Sequence, residues 1–300
     1  MKFTEMFGNA SSRWIKFSEY DAKLADKGDW YICPAPNATP AVYDPIEYAE
    51  VMVVDALNIG LKCMSSEKQY YDDNRLIAEM CVFAEKYGLL GFMTALPTTP
   101  DFMEFETAYF AKNRFIREQS MLSADYSKLF FPFDNDINTD PNPHRHYTKD
   151  DGSLMVSLAA RSKPTAIEMV YQHRYAESYK WLKTQFADWA LIFCASSMYY
   201  ELEKTDPELA ELQRQAIAAF DGNVPSFHIE LFDKPTIVWD FKSLMTIINV
   251  VFGLMLTDAS KPLRSCKFCN RAFLATHPKS EFCEHKCKNK YNVYKNRGKE

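Results

Sequence analysis

Four cysteines near the end of the sequence have the residue type and the spacing of a metal site. Cys266 and Cys269 are separated by two residues and Cys283 and Cys287 by three, with 13 residues between the pairs. Each pair can supply two thiolates from one local turn, and two such pairs complete the tetrahedral coordination of Zn²⁺. Because protein ligands would fill all four positions, the spacing predicts one structural zinc ion rather than a catalytic one.

Two other uses of these cysteines stay open at the level of sequence. His277 and His285 lie in the same segment, so either could replace one cysteine in a site of three thiolates and one imidazole. Disulfides are the other use, and they require an oxidising compartment. The stretch MKFTEMFGNASSRWIKF lacks the apolar run of a signal peptide. We therefore expect a cytoplasmic chain with reduced thiols.

The first 260 residues, here called the body, contain no recognisable catalytic constellation. No GxGxxG or GxxxxGKS/T motif for nucleotide phosphates occurs. The acidic stretch 134–140 imitates a calcium loop, but Thr139 stands where the loop needs glycine and Arg145 where it needs glutamate. His144 and His146 have no evident partner ligand. We predict no catalytic residues and no cofactor besides zinc, and an enzyme hidden in the body stays the open alternative.

The elements that would position the cysteines can be predicted from local pattern. The first pair should form a tight turn, here called the knuckle, and residues 271–282 a short hairpin or loop. Cys283 and Cys287 lie four positions apart, which places both thiols on one face of a helix that reaches about Asn296. Tyr291 continues the inner face of that helix, and Tyr294 does the same one turn later.

Basic residues cover the rest of this helix and give the segment an unusual charge. Residues 261–300 contain 11 Lys and Arg against three Glu, a net +8, in a chain whose total is −5, so the body carries −13. Four thiolates on Zn²⁺ leave the segment at about +6. Such asymmetry indicates an interaction tail, which either binds nucleic acid or docks onto the acidic surface of the body itself. The residues predicted to contact nucleic acid are Lys286, Lys288, Lys290, Lys295 and Arg297.

The arrangement resembles a treble-clef zinc finger, and more specifically the C-terminal finger of bacterial CGNR-type proteins. The shared elements are the knuckle, Phe273, the pair Phe282-Cys283, Cys287 and the basic helix, over about 35 residues. Where that family has Cys-Gly-Asn-Arg, this chain reads CKNK from Cys287. The stretch FAEKYGLLGF is similar to uncharacterised bacterial proteins of this kind. Proteins with this finger are thought to be DNA-binding regulators, so the resemblance implies a bacterial regulator.

The body is predicted to be mainly helical. Prolines make the first 45 residues look irregular, whereas caps and periodicity predict helices from Asp44, over 73–87, within 101–119, over about 164–202 and after Asp206. A hairpin is predicted around Asp233 and a buried helix over about 241–257. The fold class is therefore mainly α with minor β. We divide the chain into a body, 1–260, with a possible inner boundary near 134–152, and a zinc module, 261–300.

Two hypotheses for function follow. In the first, the basic module contacts DNA or RNA and the body senses or dimerises. In the second, zinc only folds the tail, and the body binds a protein partner or a small ligand. The most apolar stretch, LMTIINVVFGLML, has 13 residues and is too short to span a bilayer, so no membrane partner is expected. The sequence gives no oligomeric state, and it favours a protein that is not an enzyme.

Overall fold

The structure is a computed structural model. It describes residues 7, 10–11, 13–65, 72–96, 107–109, 114–133, 166–220, 225–258, 260–277 and 279–297. Three predicted features lie outside the described residues. They are the acidic stretch that imitates a calcium loop, the pair His144 and His146, and the possible boundary near 134–152.

Strands and helices are numbered separately along the chain. The strands are β1 (Ala10–Ser11), β2 (Trp14–Phe17), β3 (Tyr20–Leu24), β4 (Trp30–Pro34), β5 (Pro40–Tyr43), β6 (Thr107–Tyr109), β7 (Ser120–Leu122), β8 (Glu177–Ser178), β9 (Ser226–Leu231), β10 (Pro235–Asp240), β11 (Leu263–Ser265) and β12 (Ala272–Leu274). The helices are α1 (Ala49–Met64), α2 (Asp73–Tyr87), α3 (Phe92–Ala95), α4 (Ser123–Lys128), α5 (Ala166–Arg174), α6 (Tyr179–Thr205), α7 (Pro207–Ala218), α8 (Leu244–Thr257) and α9 (His285–Arg297).

The chain divides into two compact units, each built from separate stretches. Unit 1 contains residues 1–48, 73–182 and 223–247, and unit 2 contains 49–72, 183–222 and 248–300. The C-terminal cysteines therefore share a compact unit with α1, α7 and most of α6. Compactness does not test whether residues 261–300 fold independently, so the division at residue 260 stays a prediction.

The amino-terminal residues of unit 1 form strands, so the prediction of an irregular segment is wrong. β2 pairs antiparallel with β5, and β3, β4 and β8 form a three-stranded antiparallel sheet. Prolines are compatible with this arrangement because Pro34 ends β4 and Pro40 begins β5, where a missing N–H is tolerated. Gly28, with φ of 83°, makes the turn between β3 and β4.

The centre of unit 1 is organised around the end of α2. Gly88 follows the helix with φ of 88°, and a Cβ there would lie 2.7 Å from the carbonyl oxygen of Ile15. Glycine is therefore required both by the left-handed backbone and by the close approach of β2. The indole of buried Trp14 donates a hydrogen bond to the Leu89 carbonyl at 3.1 Å. The predicted stop of this helix is confirmed.

A buried carboxylate closes the loop that follows α2. Glu177 has no exposed surface. One of its oxygens accepts hydrogen bonds from the N–H groups of Gly91 and Phe92 at 2.6 and 2.9 Å and from the Tyr175 hydroxyl at 2.8 Å. The other accepts the Leu90 N–H at 2.8 Å. Burial raises the pKa of Glu177, and these four donors act against that rise.

Two helix predictions fail in this unit. A helix is predicted over part of 101–119, but residues 107–109 form β6, which pairs antiparallel with β7, and the described residues 114–119 contain no helix. The long amphipathic run is broken into α5 and α6, because the chain extends at β8 to pair with β4 and to bury Glu177. The predicted hairpin is confirmed, since β9 and β10 pair antiparallel along six residues each.

Unit 2 is held by close contacts between helices. Gly60 of α1 lies so near the backbone carbonyl of Phe186 that a Cβ there would collide with it, which explains glycine inside a helix. The buried Trp189 indole donates to the Asn249 side chain at 2.7 Å, so this polar residue within the apolar α8 is satisfied. Asp206 caps α7 as predicted, accepting the Leu209 N–H at 3.1 Å.

Helix accounts for 51% of the structure and strand for 20%. The predicted class, mainly α with minor β, is therefore only roughly supported, since the strand content is higher than the sequence indicates. Among the described residues, no helix is long and apolar enough to cross a membrane.

Candidate metal centre

The knuckle lies inside a small hairpin. β11 and β12 pair antiparallel, with Leu263 opposite Leu274 and Ser265 opposite Ala272, and the first cysteine pair occupies the turn between them. The sequence predicts a hairpin or loop after the knuckle, over 271–282. The hairpin instead encloses the knuckle, because the strand before Cys266 supplies the partner that the sequence pattern did not reveal.

Backbone hydrogen bonds set the shape of the knuckle. The Cys266 N–H donates to the Arg271 carbonyl at 2.9 Å, and the Asn270 N–H donates to the Cys266 carbonyl at 2.9 Å. Asn270 has φ of 57°, and it is the only described residue other than glycine with a positive φ. Asparagine tolerates this left-handed conformation better than most residues, so the chain can turn back at this position.

Of the second cysteine pair only Cys287 lies in α9, because the helix begins at His285, two residues after Cys283; the prediction that one helix face carries both thiols is therefore wrong. Cys287 lies in the first turn of this helix, and Cys283 precedes it by four residues. The loop before α9 is fastened to the knuckle, because the Lys267 N–H donates to the Glu281 carbonyl at 3.0 Å. The side chains of the same two residues form an ion pair at 2.6 Å. These contacts bring together two cysteine pairs that are separated in sequence.

The four sulfur atoms form one cluster. All lie within 4.8 Å of one another, and Cys283 Sγ is 3.6 Å from both Cys269 Sγ and Cys287 Sγ. No pair is joined by a disulfide. A tetrahedral ion with metal–sulfur bonds of 2.3 Å would place its sulfurs about 3.8 Å apart. The four cysteines could therefore hold a metal ion.

Neither histidine belongs to this cluster. His277 Nδ1 accepts a hydrogen bond from the Lys279 N–H at 3.1 Å, and His285 is exposed at the first position of α9. The group of possible ligands contains only the four cysteines among the described residues. The geometry thus favours four thiolates over the alternative of three thiolates and one imidazole.

The cluster favours an anionic sulfur at Cys266. Burial raises the pKa of this thiol, but the N–H groups of Cys269, Cys283 and Phe268 donate to it and lower the pKa to about 6. Burial and the neighbouring thiols raise the pKa of Cys283, and burial raises that of Cys287 to about 11. A second negative charge beside the first is unfavourable, so a bound cation is what allows further thiolates to form.

The other cysteines behave differently. Burial raises the pKa of Cys33 to about 11 and that of Cys81 to about 12, and it also raises that of Cys194. These thiols are therefore protonated at neutral pH and are poor nucleophiles and ligands. Cys33 is buried, whereas Cys63, Cys81 and Cys194 are half-buried.

A residue that the sequence analysis missed ties the hairpin to α1. The Asn58 side chain accepts the Ala272 N–H at 2.9 Å and donates to the Ala272 carbonyl at 3.1 Å. This double contact, here called the Asn58 clamp, imitates one step of a β-ladder and fixes the orientation of the amide. A lone asparagine within a helical pattern gives no signal of such a role, because its partner lies more than 200 residues away in sequence.

The residues predicted to contact nucleic acid are all exposed on α9. None of the five forms an ion pair with a described carboxylate of unit 2, in contrast to Lys267. The aromatic residues of this region contact each other. Phe282 packs against Tyr291 with ring centroids 5.2 Å apart, and Phe268 stacks on Tyr294 at 6.0 Å with 14° between the ring planes. The predicted inner face therefore exists, although Tyr294 is 62% exposed.

No protein family, curated protein or solved structure matches this chain. The features that bear on function are therefore the four-cysteine cluster and the surface of the helix that follows it.

Proposed function

We propose that this protein binds nucleic acid through a C-terminal segment that one zinc ion folds. Zinc is the expected metal because four thiolates in tetrahedral geometry are its preferred structural ligands. The sulfur distances of 3.6 Å support this choice. The resemblance to CGNR-type fingers, which are thought to occur in bacterial DNA-binding regulators, supports a regulatory role.

The observation that carries the proposal is the set of exposed cations on α9. At 100° per residue, Lys286, Lys290 and Arg297 fall on one side of the helix, within about 40° of each other. Lys288 and Lys295 fall together on the opposite side, separated from the first set by the inner face. The first set extends about 16 Å along the helix axis, at 1.5 Å per residue. A helix that presents two basic stripes suits contacts with phosphates.

Salt dependence tests this proposal. The zinc-loaded full chain should bind a labelled duplex in fluorescence anisotropy, and log K plotted against log salt should have a slope of about −3 or steeper, because each phosphate contact contributes about −0.9. Replacing Lys286, Lys290 and Arg297 with Gln should flatten the slope by about two units or more.

The control variant removes three exposed lysines elsewhere, Lys27, Lys234 and Lys242, and should leave the slope unchanged. Zinc content, measured for both variants, checks that the segment remains folded. If the zinc-loaded protein bound neither this duplex nor a single strand of the same length at low salt, the proposal would be overturned.

The Asn58 clamp favours a second candidate, in which zinc and α1 together serve only to fold the tail. The two hydrogen bonds between Asn58 and Ala272 attach the hairpin to α1 without any contribution from a nucleic acid. In this case the body would carry the function, through a protein partner or a small ligand. The salt experiment separates the two candidates, since a purely structural tail predicts no salt-dependent binding.

A further inference from the structure

The surface of α9 offers an aromatic ring as well as charge. Tyr294 is 62% exposed, and one face of its ring is stacked on Phe268 with an interplanar angle of 14°. An exposed tyrosine normally turns freely in solvent, whereas this one is held in place by its neighbour. The opposite ring face is therefore presented to solvent in a defined orientation.

Cations lie on both sides of this ring along the helix. Lys290 is four residues before Tyr294 and Arg297 is three residues after it, so both are its neighbours on the helix surface, about 5 to 6 Å away at Cβ. Lys290 Nζ also lies 5.9 Å from the Phe268 ring centroid, over the same stack. A flat apolar face between two cations matches the chemistry of a nucleotide, whose base is flat and whose flanking phosphates are anionic.

We infer that this surface binds single-stranded nucleic acid, with an unpaired base stacked on Tyr294 and the flanking phosphates at Lys290 and Arg297. In a duplex both faces of every internal base are covered by its neighbours, so the ring could not stack without unpairing the strand. In a single strand the base faces are accessible, and stacking on tyrosine is tolerant of base identity. The inference rests on the proposed function and specifies its substrate class.

The inference is tested by measuring the affinity of the zinc-loaded full chain for two labelled oligonucleotides of the same length. One is a single-stranded oligo-dT, and the other is a mixed-sequence duplex. We expect the wild-type protein to bind the single strand more tightly than the duplex. Tyr294→Ala should weaken single-strand binding roughly tenfold, which is the scale of one base–aromatic stack, and should change duplex binding less than about twofold. Tyr294→Phe should retain binding, because the ring rather than the hydroxyl forms the stack.

Two controls isolate the contribution of the base. An abasic strand keeps the phosphates, so wild-type protein should bind it as weakly as Tyr294→Ala binds the intact strand. Tyr109→Ala removes another exposed tyrosine, in β6, and should have no effect. The zinc content of Tyr294→Ala must equal that of the wild type, which shows that α9 is intact.

The outcomes separate this inference from the function on which it rests. Equal, salt-dependent binding of both oligonucleotides, unchanged by Tyr294→Ala, would overturn the stacking inference and leave nucleic-acid binding in place. Absence of binding to either oligonucleotide at low salt would overturn both.

Discussion

Glu177 in unit 1 and Cys266 in unit 2 are two buried hydrogen-bond acceptors, and backbone N–H groups donate to both of them. The Glu177 carboxylate accepts three N–H groups and one hydroxyl, and the Cys266 sulfur accepts the N–H groups of three residues. Both centres join segments that are distant in sequence. They differ in what lies next to the acceptor, because the described hydrogen-bond partners of Glu177 are neutral donors, whereas three further sulfurs lie within 4.8 Å of Cys266.

This difference indicates that the fold completes the Glu177 centre by itself, whereas the proposed zinc ion would complete the cysteine centre. The donors around Glu177 satisfy both of its oxygens, so that centre is finished by the polypeptide itself. Around Cys266, three further sulfurs lie within 4.8 Å, so each further thiolate adds repulsion to the negative charge already present. The Glu177 centre should therefore stabilise unit 1 whether or not metal is present. The cysteine centre should hold the knuckle and the loop before α9 together only when metal is bound.

Loss of the metal should have the largest effect. In Cys283→Ser, or after chelation, one ligand or the ion itself is removed, and structural zinc sites contribute about 10–16 kcal/mol of apparent binding energy. We expect bound zinc to fall from one per chain to nearly none, and amide hydrogen exchange over 263–297 to lose protection. The amides of 73–92, around the Glu177 centre, should be little affected.

Cys194→Ser is the matched control, since Cys194 is a half-buried cysteine outside the cluster. It should retain one zinc ion per chain. A fully protected C-terminal segment in the metal-free protein would show that the comparison between the two centres is wrong.

Glu177→Gln should have the next largest effect, which is a loss of stability in unit 1. An amide places N–H groups against the N–H donors of the loop at Leu90 to Phe92, leaving buried donors unsatisfied. We expect the free energy of unfolding of unit 1 to fall by about 3 kcal/mol, measured by urea denaturation. Zinc content should remain one per chain. Glu118→Gln, at an exposed glutamate of the same unit, should change neither quantity.

Asn58→Ala tests whether the metal alone secures the hairpin. Removal of the clamp leaves the Ala272 N–H and carbonyl without their partner, which should cost about 1–3 kcal/mol in local stability. Faster exchange of the Ala272 amide, with zinc retained, is the expected result. Asn292→Ala, at an exposed asparagine of α9, should leave that amide unchanged. Loss of zinc in Asn58→Ala would mean that the centre depends on α1 as well as on its ligands.

Substitutions at Asn270 should have the smallest and most local effect. Its positive φ is strained for a β-branched residue, so Asn270→Val should lower zinc affinity by an amount corresponding to about 1–2 kcal/mol. Asn270→Gly should keep or slightly improve the affinity, because glycine adopts this conformation freely. Competition with a chromogenic chelator measures both variants. Equal affinity for both would show that the turn does not limit metal binding.

Parts of this structure could be predicted from local sequence because their causes are local. The stop of α2 at Gly88, the cap of α7 at Asp206 and the β9–β10 hairpin all follow from residues close together in the chain. The four cysteines were likewise identifiable, since each pair is adjacent in sequence. The prediction was wrong for the first 45 residues, where the prolines suggested an irregular segment but the chain forms paired strands.

The sequence by itself determined which four cysteines form the candidate metal site and the charge of the segment that carries them, because residue type and short spacing decide both. Only the tertiary structure decided that the hairpin encloses the knuckle, that Asn58 holds Ala272 and that Glu177 is buried among donors. Each of these depends on a partner far along the chain. A hydrogen bond between distant residues leaves no periodic or compositional trace, since its strength depends on where the fold places the two groups.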